Sequence, residues 1–210
     1  MDMLRQSFRT ALETLDHVSA EMVLKQALAE TAPLEMIERL VVPVMDQLGA
    51  EWDAGTLALS QIYMSSRMCE QLLGRFLQLE TAKLRRSPRV AIVVLNDHHM
   101  LGKRIVHSVT RASGYDVLDY GRQDVDGLVG RVVADRLDIL LVSVLMLPAA
   151  LKVRDLRDAL DARGAKVRIA VGGAPFLFDS ELWREVGADA MGRTASDAVG
   201  IIERWTEVAA

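Results

Sequence analysis

The sequence predicts an N-terminal helical bundle followed by an α/β domain with a doubly wound, parallel five-stranded sheet. Three observations point there. Apolar residues in the first part of the chain recur three and four apart, the period of one helix face. From residue 90 onward, short continuous apolar runs alternate with helical segments, the order of a parallel sheet covered on both faces. Between the two lies a basic, proline-containing stretch, residues 83–89, which reads as a solvated linker. The boundary falls at 86/87, giving a four-helix cap domain over 1–86 and an α/β domain over 87–210.

In the bundle, Leu4, Phe8, Leu12 and Leu15 line one helix face, and Met22, Val23, Ala27 and Leu28 continue the pattern in a second helix. Pro33 suits the first turn of a third helix, with Met36, Ile37, Leu40, Val41, Val44 and Met45 inward. Pro43 is expected to break or kink that helix near its end. A turn over 49–55 holds Trp52, and 60–79 reads as a long helix with Ile62, Cys69, Leu72, Leu73, Phe76 and Leu77 inward. Four helices joined by short turns suit a small bundle. In the second half, strands are expected over 90–95, 115–118, 138–143, 166–171 and 188–191. Helices are expected over 101–113, 125–135, 149–162, 182–186 and 196–208. Gly114 is well placed to cap the first of these in the left-handed conformation.

Composition limits the function. The chain has 210 residues, half of them hydrophobic, with only 5% aromatic, so aliphatic side chains fill its cores. A formal net charge of −4 argues against a general nucleic-acid binder, which shows a basic face. No apolar run approaches the roughly 18 residues of a membrane span. The opening MDMLRQSFRT lacks the charged, apolar, then small order of a secretory signal. A single cysteine, Cys69, makes no internal disulfide, and a reducing cytoplasm is the expected compartment. Cys69 sits in an apolar helical run and reads as a buried small hydrophobe. The ten methionines read as core filler.

In a doubly wound sheet, ligands bind beyond the carboxyl ends of the strands. After the first strand come Asn96, Asp97, His98, His99, Met100, Leu101 and Gly102. After the third come Ser143, Val144, Leu145, Met146, Leu147 and Pro148, and after the fourth Gly172, Gly173, Ala174 and Pro175. Neither a G-x-G-x-x-G turn nor a Walker lysine pattern is present, which sets a dinucleotide or nucleoside triphosphate site aside. The first loop instead offers an imidazole, His99, with a carboxylate two residues before it. A metal-binding imidazole needs an acceptor for its second nitrogen, and Asp97 suits that role; the bland reading of Asp97 is a helix cap. Gly102 and the pair Gly172-Gly173 let a large ligand approach the backbone. His17 reads as an ordinary bundle residue and His107 as a helix residue.

The run Asp97-x-His99-x-x-Gly102, then Ser143-x-Leu145, then Gly172-Gly173, resembles the signature of cobalamin-binding domains. That family includes methionine synthase, the corrinoid proteins of methyltransferase systems and several mutases. The helical half, with LVVPVMDQLGAEWDAG before a long helix, is similar to the bundle that caps the corrinoid in that family. The resemblance implies a Rossmann/flavodoxin-like sheet domain whose cofactor is cobalamin, as methylcobalamin or hydroxocobalamin. It implies that His99 is the cobalt ligand, replacing the cofactor's own base, and that Asp97 orients it. His98, Met100 and Leu101 share the motif loop, while Gly102, Ser143, Leu145, Gly172 and Gly173 line the channel for the nucleotide tail. Trp52 or residues near Met64 would touch the upper face. The implied role is a carrier, itself non-catalytic or co-catalytic, between a substrate-specific methyltransferase and an acceptor methyltransferase. No nucleic acid or membrane partner is implied, and homodimerisation stays open.

Three departures bear on this. Ala149 stands where methionine synthase has a serine completing a proton relay. Leu147 replaces a frequent hydroxyl residue, and Met100 a frequent acid. The alternative function is a cobalamin-dependent sensor or regulator, light-responsive in some relatives. Ile62 and Tyr63 stand where those photoreceptors carry Glu-His. A haem-binding variant and a mutase subunit are the remaining readings.

Overall fold

The computed structural model of the chain describes residues 1–76 and 85–207. The chain forms two compact units, Met1–Gln78 and Leu79–Ala210.

The first unit is helical. Helix α1 (Asp2–Glu13) buries Phe8, Ala11 and Leu12. Helix α2 (His17–Leu28) starts at Asp16, whose carboxylate accepts the backbone N–H groups of Val18 and Ser19. A continuous helical stretch follows as α3 (Pro33–Met36), a π turn (Ile37–Val41) and α4 (Val42–Asp53). Helix α5 (Leu59–Phe76) closes the unit, and its buried Ser65 hydroxyl donates to the Leu12 carbonyl at 2.9 Å.

The proline is the physical cause of the π turn. Pro43 has no N–H to give the carbonyl four residues back and its ring crowds that group. The helix widens there, and the Arg39 carbonyl takes the Arg5 guanidinium instead, at 2.8 Å. So Pro43 kinks the helix and does not end it. Gly49 and Trp52 are helical, and the turn expected over 49–55 is confined to the residues after Asp53. On α2 the inner stripe is Ala20, Leu24 and Ala27; Met22 is exposed and Val23 half-buried, because the face turned to α1 and α3 is the small-residue one. Leu15 lies past α1, in the left-handed region at φ 56°. Met68, Cys69, Leu72 and Leu73 line the inner face of α5; Ile62 is half-buried, and the placements of the Phe76 side chain and of Leu77 lie outside what is described.

The second unit alternates strand and helix: β1 (Arg85–Leu95), α6 (Leu101–Ala112), β2 (Tyr115–Gln123), α7 (Val125–Asp135), β3 (Ile139–Ser143), α8 (Leu147–Ala162), β4 (Arg168–Gly172), α9 (Ala174–Phe178), α10 (Leu182–Glu185), β5 (Ala190–Met191) and α11 (Ala195–Glu207). All strand pairs are parallel, in the order β2-β1-β3-β4-β5. Alternate side chains feed two cores. Ala91, Val93, Leu95, Leu140 and Val142 pack with Leu128 and Val132 of α7 and with Val153, Leu156 and Leu160 of α8. Val90, Ile92, Ile139 and Leu141 pack with Val106 of α6 and with Ala198, Ile201 and Ile202 of α11. Both faces are covered, which is why the strands read as continuous apolar runs.

Strand β1 begins at Arg85, so residues 85–89 of the expected linker are strand; 83 and 84 lie outside the described residues. Arg85 pairs with Tyr115 of β2 and its N–H donates to Gly114, giving polar residues a strand partner that their composition hides. Strand β2 likewise runs five residues beyond the expected 118, through a polar stretch on the edge of the sheet. Helix α8 starts earlier, at Leu147, with Pro148 in its first turn, and α9 is an addition.

Candidate functional site

The strand order reverses beside β1, whose neighbours are β2 and β3. Crevices form at such switch points, beyond the carboxyl ends of the strands. The loops after β1 and β3 meet here, and Asp97 joins them. One carboxylate oxygen, Oδ1, accepts the N–H groups of His98 at 2.6 Å and His99 at 3.3 Å, and contacts the His99 ring Nδ1 at 3.0 Å. The other, Oδ2, accepts the N–H groups of Leu145 at 2.8 Å and Met146 at 2.9 Å, across the crevice. Asp97 is only 4% exposed. Burial alone raises a carboxylate's pKa, but the His99 ring and the surrounding N–H groups overcome it and hold Asp97 well below the usual carboxylate range.

The contacts of Asp97 set the helix-cap reading aside. The residue preceding α6 is Met100, with no side-chain cap, and Asp97 accepts none of the helix's N–H groups. Its carboxylate orients the imidazole. A Nδ1 that donates to a carboxylate leaves the ring's lone pair on Nε2, the tautomer a metal ligand requires.

The other expected site residues lie around this pair. His98 is exposed, while His99, Met100 and Leu101 are half-buried. Gly102 is in the first turn of α6, and a Cβ there would meet the Ser143 hydroxyl at 3.4 Å, so α6 and the end of β3 close on one another. Leu145 is half-buried and its N–H is committed to Asp97. Gly172 pairs with Ser143 across the β3–β4 ladder, and a Cβ on it would lie 3.2 Å from the Gly192 carbonyl. Gly173 adopts φ +121°, and a Cβ would fall 1.7 Å from the Val144 carbonyl oxygen. Ala149 is buried, and among the described residues the partners of Asp97 are N–H groups, with no hydroxyl. Trp52 is half-buried and Met64 exposed in the helical unit. His17 is exposed at the start of α2, and His107 packs against β2. Cys69 is buried, with its thiol pushed up to about 12 by burial and by Glu70, so it is no nucleophile.

Two residues that the sequence did not single out belong to this end of the sheet. Gly192, after β5, approaches Gly172. Lys103, one residue past Gly102, is buried, and its ammonium is bound by Asp119. A lysine beside a glycine carries no sequence signal of burial.

The donor set tests the fit to a metal. Among the described residues, no group of three or more His, Cys, Asp or Glu side chains converges. One imidazole, oriented by one carboxylate, suits a metal that arrives with most of its ligands already attached, as a corrinoid's cobalt does. The site defines a doubly wound cofactor domain for a large group carrying its own metal.

Comparison with known proteins agrees. Residues 89–202 match the B12 binding domain, and residues 4–76 match a second family profile, also described as a B12 binding domain. The chain is 30% identical over 203 residues to monomethylamine corrinoid protein 1 of Methanosarcina mazei, covering 91% of this chain and 92% of that protein. It is 27% identical over 204 residues to the trimethylamine corrinoid protein of Methanosarcina barkeri, covering 93% of each. Its fold matches the solved structure of the Methanosarcina barkeri monomethylamine corrinoid protein with a TM-score of 0.83 and 25% identity, over 97% of this chain and 99% of that one. The chain belongs to the B12 binding domain family, and its cofactor is a corrinoid of the cobalamin type. Among the described residues no helix is long and apolar enough to cross a membrane.

Proposed function

We propose that this corrinoid protein carries a methyl group between a substrate-specific methyltransferase and an acceptor methyltransferase. In this reading it binds cobalamin with the cofactor's own base displaced from cobalt and His99 Nε2 in its place. The observation that carries the reading is the 3.0 Å contact between His99 Nδ1 and the buried, ionised Asp97. It fixes the ring's rotation and keeps a proton on Nδ1.

The bound cofactor supplies the cobalt centre that accepts and releases the methyl group. The chain supplies the rest. His99 offers a lone pair at one orientation, and Asp97 holds that orientation by tying the β1 and β3 loops together. Gly102, Ser143, Leu145, Gly172 and Gly173 border the channel for the nucleotide tail, with His98, Met100 and Leu101 in the motif loop. Residues 1–86 act as the cap domain and 87–210 as the cofactor domain. The relatives' names support a methylated amine as the donor class. The working compartment is the cytoplasm.

The test is a visible-spectrum titration of the full chain with methylcobalamin, hydroxocobalamin, adenosylcobalamin and haem, beside His99→Ala. A carrier binds methyl- or hydroxocobalamin with the lower base released and shows a His99-dependent band. Selective adenosylcobalamin binding with a light-triggered change would instead make the chain a sensor, and a band indifferent to His99→Ala would remove the ligand assignment.

A further inference from the structure

The side chain of Lys103 is placed where its charge is poorly served. It is 2% exposed and sits in the first turn of α6. Burial strips water from the ammonium, and the positive end of the helix dipole lies beside it. Its partner is Asp119 of β2, whose two carboxylate oxygens lie 2.5 and 2.6 Å from Nζ. The Asp119 side chain is 42% exposed, so the pair is only half-withdrawn from water. An apolar residue at 103 would serve stability as well or better. The charge is explained by what it positions.

One turn further along the same face of α6, His107 Nε2 contacts the Val117 carbonyl at 3.1 Å. The two contacts are matched in length. Four residues of helix advance about 6 Å, and two residues of strand about 6.6 Å. Residues 103 and 107 therefore meet 119 and 117 in antiparallel register, fixing α6 in both rotation and axial position against the edge strand. Asp119 also accepts the N–H of Gly121 at 2.7 Å, where the backbone turns at φ +66°. What α6 carries at that end is Leu101 and Gly102, with Gly102 closed on Ser143 and the His99 loop directly before them.

We infer that Lys103 is a positioning residue for the cobalamin site: clamped by Asp119, it holds the first turn of α6 so that Gly102 and the His99 loop keep the spacing the cofactor needs. This rests on the corrinoid-binding reading above. It assigns Lys103 no contact with the cofactor.

The test uses the full chain and hydroxocobalamin. Affinity and the His99-dependent band are measured well below the melting temperature for wild type, Lys103→Met, Lys103→Arg and Asp119→Asn. Arg157→Ala serves as the stability control: this α8 guanidinium donates to the Gly187 and Val167 carbonyls, at the amino ends of β5 and β4, the opposite end of the sheet. Folded Lys103→Met should bind about 10- to 100-fold more weakly, the scale at which outer partners of metal ligands act, with a diminished His99-dependent band. Lys103→Arg, which keeps the charge, should recover part of both. Arg157→Ala should bind as wild type despite its lower melting temperature. If Lys103→Met does not fold, Asp119→Asn carries the same expectation from the half-exposed partner. Wild-type affinity and an unchanged band in the folded variant overturn the inference. Affinity loss of equal size in Arg157→Ala overturns it too, by reducing the effect to stability. Failure of wild type itself to bind hydroxocobalamin sinks the corrinoid reading beneath it, a distinguishable result.

Discussion

Gly173 meets the Val144 carbonyl so closely that a Cβ on it would lie 1.7 Å from that oxygen, and its φ of +121° already excludes most side chains. The loops after β3 and β4 touch backbone to backbone at this point. Gly173→Ala combines a backbone conformation that is essentially glycine's alone (φ +121°, ψ 174°), about 1–3 kcal/mol, with an overlap that only a loop movement relieves. We expect a stability loss above about 2 kcal/mol by urea unfolding. Gly114→Ala is the matched control. It also has positive φ, at +92°, but nothing lies within 4 Å of its Cβ. It should cost only the backbone share and leave cobalamin binding unchanged, while any folded Gly173→Ala binds more weakly. Equal losses in the two variants would refute the close-approach argument.

Asp97 makes a prediction with a definite sign. Its folded pKa is depressed, because the His99 ring and four backbone N–H groups outweigh the burial that opposes them. A depressed carboxylate stabilises the fold fully above its unfolded pKa, near 3.9, and loses that contribution as pH falls toward the folded value. The stability difference between wild type and Asp97→Asn should therefore be largest at neutral pH and shrink below about pH 4. Asn also turns an amide N–H toward groups that need an acceptor, costing about 1–3 kcal/mol at pH 7. Denaturant titrations between pH 7 and 3 measure this; a difference constant over that range would show that the carboxylate's charge is not what holds the loops.

The opposite end of the sheet is held by a separate device. The Arg157 guanidinium donates to the Gly187 carbonyl at 2.9 Å, to the Val167 carbonyl at 3.2 Å and to Asp189, which also accepts the Ile169 N–H at 2.7 Å. This ties the C-terminal part of α8 to the amino ends of β4 and β5. Arg157→Ala leaves two buried-side carbonyls and a carboxylate short of a donor, at about 1–3 kcal/mol. Calorimetry should show a lower melting temperature with no change in cobalamin affinity. An affinity loss would mean that cobalamin binding follows overall stability, the outcome that also overturns the positioning role of Lys103.

The parts of this molecule that were legible in the sequence are those where one local signal dominates. Continuous apolar runs gave the buried centres of β1 and β3, and the Asp97–His99 spacing pointed to their contact because the two side chains meet within one loop. What stayed hidden depends on partners distant in sequence. Arg85 and its neighbours look like a linker until Tyr115 pairs with them, and the polar end of β2 is strand because it is an edge. Pro43 was legible as a break or kink, but not which of the two, since the carbonyl it frees is satisfied by Arg5, 34 residues earlier. Lys103 carries no sequence signal of burial, because its partner Asp119 lies 16 residues on. Ala149 was legible as the loss of a hydroxyl, but not that two backbone N–H groups, from Leu145 and Met146, would hold Asp97 from that side.

His107 provides an independent measure of how firmly α6 is seated on β2. Burial lowers its pKa; the Val117 carbonyl and Asp119 oppose that, while Arg111 and Lys103 reinforce it. A histidine with a depressed folded pKa stabilises the fold above its unfolded value, near 6.5, and loses that contribution as pH falls. Gln at 107 donates an N–H to the same carbonyl and does not titrate. Wild type and His107→Gln should therefore differ by no more than about 1 kcal/mol at pH 8, and wild type should lose ground steadily to the variant between pH 7 and 5. The slope arises because a proton on the buried ring carries a charge into the seam between helix and strand. Urea midpoints at each pH read it directly. Parallel curves would mean that the imidazole reaches water in the native state, and that the seat of α6 on the edge strand rests on the Lys103–Asp119 pair, the Arg111–Asp116 pair and the packing of Val106.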